Sequence, residues 1–98
     1  MYYKTYESKY GLAIAVCDED ICGKKLKFKD TDFFVNPRFY KDKQGSEEAV
    51  IPLLKEAVNI NLVGKESVEC GKKAGVVEEK SIIMIGNIPH AQVVAIAI

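Results

Sequence analysis

The sequence has no tryptophan, one histidine, three cysteines and three prolines, and its fourteen basic side chains are cancelled by fourteen acidic ones. Each scarcity excludes something. Zero net charge excludes a globally basic chain that lives on counterion release from nucleic acid. No run approaches the eighteen apolar residues of a membrane span. The start, Met-Tyr-Tyr-Lys-Thr-Tyr-Glu, has no apolar core of the kind a secretory signal needs. An odd cysteine count without such a signal points to reduced thiols in a cytoplasm. What is present is a hydrophobic share of 48% with 29% charged residues over 98 positions, enough for one packed domain spanning residues 1–98.

The first third reads as strands. Tyr2 to Glu7 carries three tyrosines and a threonine, which suit a pleated surface. Gly11 to Cys17 is apolar on both faces, with Leu12, Ile14 and Val16 on one side and Ala13, Ala15 and Cys17 on the other. This predicts a central strand whose small, alanine-bearing face lets helices approach. Lys24 to Lys29 alternates, with Leu26 and Phe28 inward and Lys25, Lys27 and Lys29 outward. Phe33 to Val35 is a further short apolar run.

The middle has helical periodicity. Val50, Leu53, Leu54, Ala57 and Val58 lie on one helix face, which predicts a helix from Ser46 to about Asn59, kinked at Pro52. A shorter helix follows from Lys65 to Ala74, closed by Gly75. The chain then forms a hairpin around Gly86-Asn87, a register that sets Met84 opposite Pro89. Pro89 cannot donate to a ladder, which predicts that the first half of the last strand is an edge and that Val93 to Ile98 runs into the sheet. The expected fold class is α+β, a mainly antiparallel sheet with two helices packed on one face.

Four places could carry chemistry. His90 and Gln92 share a strand face with Ile88, Val94, Ile96 and Ile98. Two hydrogen-bonding groups on an aliphatic face need partners, and histidine is the side chain suited to proton transfer near neutrality. Cys17 followed by Asp18, Glu19 and Asp20 could be a nucleophile with an acid–base neighbour, although carboxylates beside a thiol disfavour the thiolate. Cys17, Cys22, Cys70 and His90 match the count of a Cys₃His zinc site but not its spacing, so neither a metal nor a cofactor is expected. Lys25, Lys27 and Lys29 form the densest basic face, and residues 1–45 hold nine basic against seven acidic side chains. Such a face could meet phosphates, or guard an edge strand against aggregation.

Three blocks carry a resemblance that covers nearly the whole chain. They are Cys17-Asp18-Glu19-Asp20-Ile21-Cys22-Gly23, Asn61-Leu62-Val63-Gly64-Lys65, and Ile85-Gly86-Asn87-Ile88-Pro89-His90-Ala91-Gln92-Val93. Together they resemble a small archaeal family of unknown function, in which leucine is more usual where Cys22 stands here. The resemblance implies an archaeal, cytoplasmic protein and draws attention to His90 and Gln92; it implies no reaction. The blocks sit at element ends, so Asp18, Asn61, Gly64, His90 and Gln92 are expected to converge on one surface.

The leading expectation is a non-enzymatic binding or accessory module whose partner is RNA or a ribonucleoprotein. His90, Gln92, Asn61 and Gly64 would form the contact, with Lys25, Lys27 and Lys29 steering phosphate. The competing expectation is a small enzyme with His90 as general acid–base, supported by Asp18 or Cys17. A third is a homo-oligomer built through exposed strand edges.

Overall fold

The computed structural model describes residues 1–94. Gly11–Cys17 forms the second strand, β2, and pairs antiparallel with β1, Tyr2–Ser8, through a tight turn. The sheet is completed by β5 (Lys43–Gln44), β6 (Asn59–Val63), β7 (Ile83–Ile85) and β8 (Ile88–Val94), in the order β5-β1-β2-β6-β8-β7. β2 and β6 run parallel, and the other pairs are antiparallel. A separate hairpin joins β3 (Lys25–Phe28) to β4 (Thr31–Phe34). The α-helices among the described residues are α1 (Pro37–Tyr40), α2 (Glu47–Glu56) and α3 (Lys65–Lys73). The fold is thus α+β, with a mixed, mostly antiparallel sheet and two main helices. None of the described helices is long and apolar enough to cross a membrane.

The helices cover the opposite face of β2 from the one the alanines suggested. Val50 and Leu54 of α2 and Val68 and Cys70 of α3 pack on Ile14, Val16, Ile60, Leu62 and Ala91. The larger side chains of β2 offer more apolar surface, so burying that face under helices gains more. The alanine face is covered instead by the β3–β4 hairpin and α1. There Ala15, Cys17 and Val63 meet Ile21, Val35 and Tyr40, with Leu26 and Phe33 alongside. Small strand residues make depth for aromatic rings, not for a helix axis.

The helix bounds also shift. α2 starts after Ser46, as its N-cap position predicts, but ends at Glu56, before the expected Asn59. Pro52 lies inside it on the exposed side, where the carbonyl it fails to satisfy can face water. Val58 N–H then donates to the Leu12 carbonyl and leads the chain into β6. α3 ends as expected, with Gly75 at φ +76°.

The terminal hairpin has the predicted register, Met84 opposite Pro89. The expected edge in the first half of β8 is confined to Ile88 and Pro89, which lie outside the ladder with β6. β7 lies outside β8 and is itself the outer strand, with Ile83 and Met84 exposed. The ladder between β8 and β6 begins at His90, opposite Val63, so Pro89 falls just beyond it, and its carbonyl accepts from Gly64 N–H at 2.9 Å. The expectations for residues 95–98 lie outside the described residues.

Candidate functional site

The three sequence blocks meet at one end of the sheet, through the main chain. Asp18 N–H donates to the Val63 carbonyl (3.1 Å), and Gly64 N–H to the Pro89 carbonyl (2.9 Å). Their side chains then part. Asp18 turns toward α3, where its Oδ1 accepts from the Ser67 N–H and the Ser67 hydroxyl, each at 2.8 Å. Its Oδ2 accepts from Glu66 N–H at 3.0 Å. Asp18 therefore caps a helix remote in sequence, satisfying two of its free N–H groups. Gly64 is required by this arrangement, with φ at +111° and a position where an added Cβ would overlap the Asp18 carboxylate.

His90 lies on the other face of the sheet, only 7% exposed, with its ring 5.1 Å from that of Phe33. Nδ1 is 2.8 Å from the Leu62 carbonyl. A carbonyl can only accept, so Nδ1 carries the proton and Nε2 is the acceptor of a neutral ring. Burial holds the imidazole below its ordinary value, opposed by the bond to Leu62. Burial also pushes the Cys17 thiol up to about 12, with Cys22 and Asp18 adding to the rise. Among the described residues no hydrogen bond joins His90 to Asp18 or Cys17, and no three metal-binding side chains cluster. The geometry of this end is that of structural support: a cap, a glycine and a buried neutral ring.

Further along the same face as His90, the described residues leave the sheet open. A cleft of about 240 Å³ lies beside α1, with Ala13, Asn59, Asn61 and Gln92 among its lining residues and Tyr6 and Phe39 as an aromatic wall. The two rings stack at 5.6 Å and 26°, and the Tyr6 hydroxyl donates to the Phe39 carbonyl at 2.8 Å. Asn59 and Asn61 point the same way because they are two residues apart on β6, and Gln92 is opposite Asn61 on β8. Three amides from two neighbouring strands thus share one surface.

These amides are not equivalent. Asn61 Oδ1 accepts a 2.6 Å bond from the Tyr40 hydroxyl. Burial pushes the Tyr40 phenol up, which keeps it a donor. Asn59 Oδ1 is buried and, among the described residues, has no partner. Gln92 is exposed. A cation stands nearby: Lys4 Nζ lies 5.5 Å from the centre of the Tyr6 ring and donates to the Arg38 carbonyl. Burial, and then the negative charge of Asp42, raises the Tyr6 hydroxyl.

Of the residues singled out in the sequence, the structure brings Asn61 and Gln92 together in the cleft, sets His90 on their face under Phe33, and sends Asp18 to the helix side. Lys25, Lys27 and Lys29 are exposed on the hairpin, with Lys27 paired to Asp32 at 2.9 Å. Sequence reasoning passed over Tyr6, Phe39, Tyr40 and Asn59. The signal for Asn59 was there: Asn59-Ile60-Asn61-Leu62 alternates polar and apolar, the period of a half-buried strand.

Fold and site together define a small α+β protein with a buried clasp at one sheet end and an amide-floored, aromatic-walled cleft beside it. The chain belongs to the family described as "Protein of unknown function (DUF424)", whose model matches residues 6–96. It is also similar to an uncharacterized conserved protein from Methanopyrus kandleri, known from a crystal structure. The two share 26% identity at a TM-score of 0.81, over 93% of this chain and 87% of that one. No curated protein is similar enough to the chain to count as a match.

Proposed function

We propose that the protein is a non-enzymatic binding module for single-stranded RNA, with the cleft beside α1 as the site that receives a base. The observation that carries this reading is the joint presence of Asn59, Asn61 and Gln92 on the cleft surface and the stacked Tyr6–Phe39 pair on its wall. Aromatic faces hold bases at about 1–3 kcal/mol each without regard to sequence, while amides meet base edges. Lys4 at the Tyr6 ring supplies a cation for the backbone. The exposed Lys25 and Lys29 of the hairpin would add long-range attraction, and Lys27 less, being paired with Asp32. The enzyme reading is less supported, because His90 is buried and bonded to Leu62, Asp18 is engaged by α3, and the Cys17 thiol is held protonated.

The test is fluorescence anisotropy with a labelled short single-stranded RNA of mixed sequence. Binding should weaken steeply as salt rises from about 50 to about 200 mM. Phe39→Ala should lose on the order of tenfold in affinity while folding normally by circular dichroism. Lys25→Glu with Lys29→Glu should weaken binding mainly at low salt. An RNA that fails to bind at the lowest salt would sink the proposal.

A further inference from the structure

The cleft surface has a polarity that narrows which base it takes, and this step rests on the RNA reading above. The Tyr40 hydroxyl donates to Asn61 Oδ1 at 2.6 Å and fixes the orientation of the amide, so that Nδ2 is the end of Asn61 with no partner among the described residues. Asn59 lines the same cleft, and its Oδ1 is the buried end of its amide. The end it can present is therefore also Nδ2. Two amide donors lie along one strand face, about 6.6 Å apart at their Cα atoms. Gln92 stands across from Asn61 and is exposed, so its amide is free to turn and can offer Oε1.

We infer that the cleft selects uracil, reading its two carbonyls with Asn59 and Asn61 and its ring N–H with Gln92. Uracil carries acceptor, donor and acceptor along one edge, the complement of donor, acceptor and donor. Cytosine and adenine each place an amine where uracil has an acceptor. An amine facing the Asn61 amine leaves both groups unpaired in a partly buried site, which is costly. Tyr40 is a positioning residue here: it touches Asn61 and fixes which end of that amide faces out.

The experiment compares labelled oligo(U), oligo(C) and oligo(A) of equal length at one salt concentration. The wild-type protein should bind oligo(U) on the order of tenfold more tightly than the other two. Asn61→Asp keeps an acceptor for Tyr40 but turns an oxygen toward the cleft. It should lose the advantage of oligo(U) over oligo(C), with an unchanged circular dichroism spectrum. Tyr40→Phe, which frees the amide to rotate, should shrink the preference for oligo(U) more than it shrinks overall affinity. Equal binding of the three oligomers by the wild type, or tighter binding of oligo(C) or oligo(A), overturns the inference and leaves the RNA reading standing. Wild-type oligo(U) affinity in Asn61→Asp overturns it as well. Binding of none of the three removes the RNA reading, and this inference with it.

Discussion

Asp18 and Ser67 are joined twice: one carboxylate oxygen accepts both the backbone N–H and the side-chain hydroxyl of Ser67. The residues are 49 positions apart, and the bonds are buried. The acidic turn after β2 therefore has a structural use at its first member, and the helix it serves begins at the residue after Gly64.

Removing this cap should be costly. Asp18→Ala leaves the Ser67 hydroxyl and two helix N–H groups without their acceptor, and we expect a loss of about 2–3 kcal/mol in urea denaturation. Gly64→Ala should also destabilise, through its backbone angle and through the collision with the Asp18 carboxylate. Because the collision disappears once Asp18 is truncated, the double variant should lose less than the sum of the singles. Additive losses would show that Gly64 is needed for its backbone angle alone.

His90 gives a pH dependence with a definite sign. Its folded value lies below its unfolded one because burial disfavours the charged ring. Below the unfolded value, about 6.5, the unfolded chain binds more protons than the folded one. The stability His90 contributes is thus fully present above that pH and is lost as pH falls toward the folded value. The thermal midpoint should decline on acidification from about pH 7.5 to 5.5, and His90→Gln should flatten part of that slope. A slope unchanged in the variant would assign it to other groups.

Asn59 should show stability and binding pulling apart. Its buried Oδ1 has no partner among the described residues, which costs free energy in the unliganded protein. Asn59→Leu, similar in size, should raise stability by up to about 1 kcal/mol in denaturant titration. The same variant should weaken RNA binding several-fold by anisotropy. A variant both less stable and unaltered in binding would contradict the role given to this side chain.

Much of the fold is legible in the sequence where one rule acts alone. The periodicity of Val50, Leu53 and Leu54, the glycine after α3 and the Gly86-Asn87 turn each follow from local geometry, and the Met84–Pro89 register follows from the turn. Readings failed where distant segments decide. β6 is only five residues long, lies between two helices, and carries two asparagines, a residue type depleted in strands. Its place in the middle of the sheet is conferred by β2 and β8, which arrive from far along the chain. The alanine face of β2 was misassigned for a related reason: small side chains announce close approach but not by what, and here Tyr40 and Phe33 take the space.

The candidate site divides along the same line. Asn61 and Gln92 were visible as polar residues within recurring blocks. Tyr6 and Phe39 became part of a site only when α1 folded back over β1, where Tyr6 reaches the Phe39 carbonyl. His90 and Asp18 attracted chemical readings because their residue types are versatile, and their hydrogen bonds commit them to holding the frame.

The position of β6 also bears on synthesis. One neighbour, β2, is made long before it, and the other, β8, well after it, with α3 and β7 between. Until β8 arrives, the central strand displays a row of unsatisfied N–H and C=O groups, open to any extended segment nearby. A growing chain can thus assemble both main helices and the four strands β5, β1, β2 and β6 and still be adhesive along β6. A chain truncated before Ile88 would be such a species, and holdase chaperones should capture it but not the chain that carries β8.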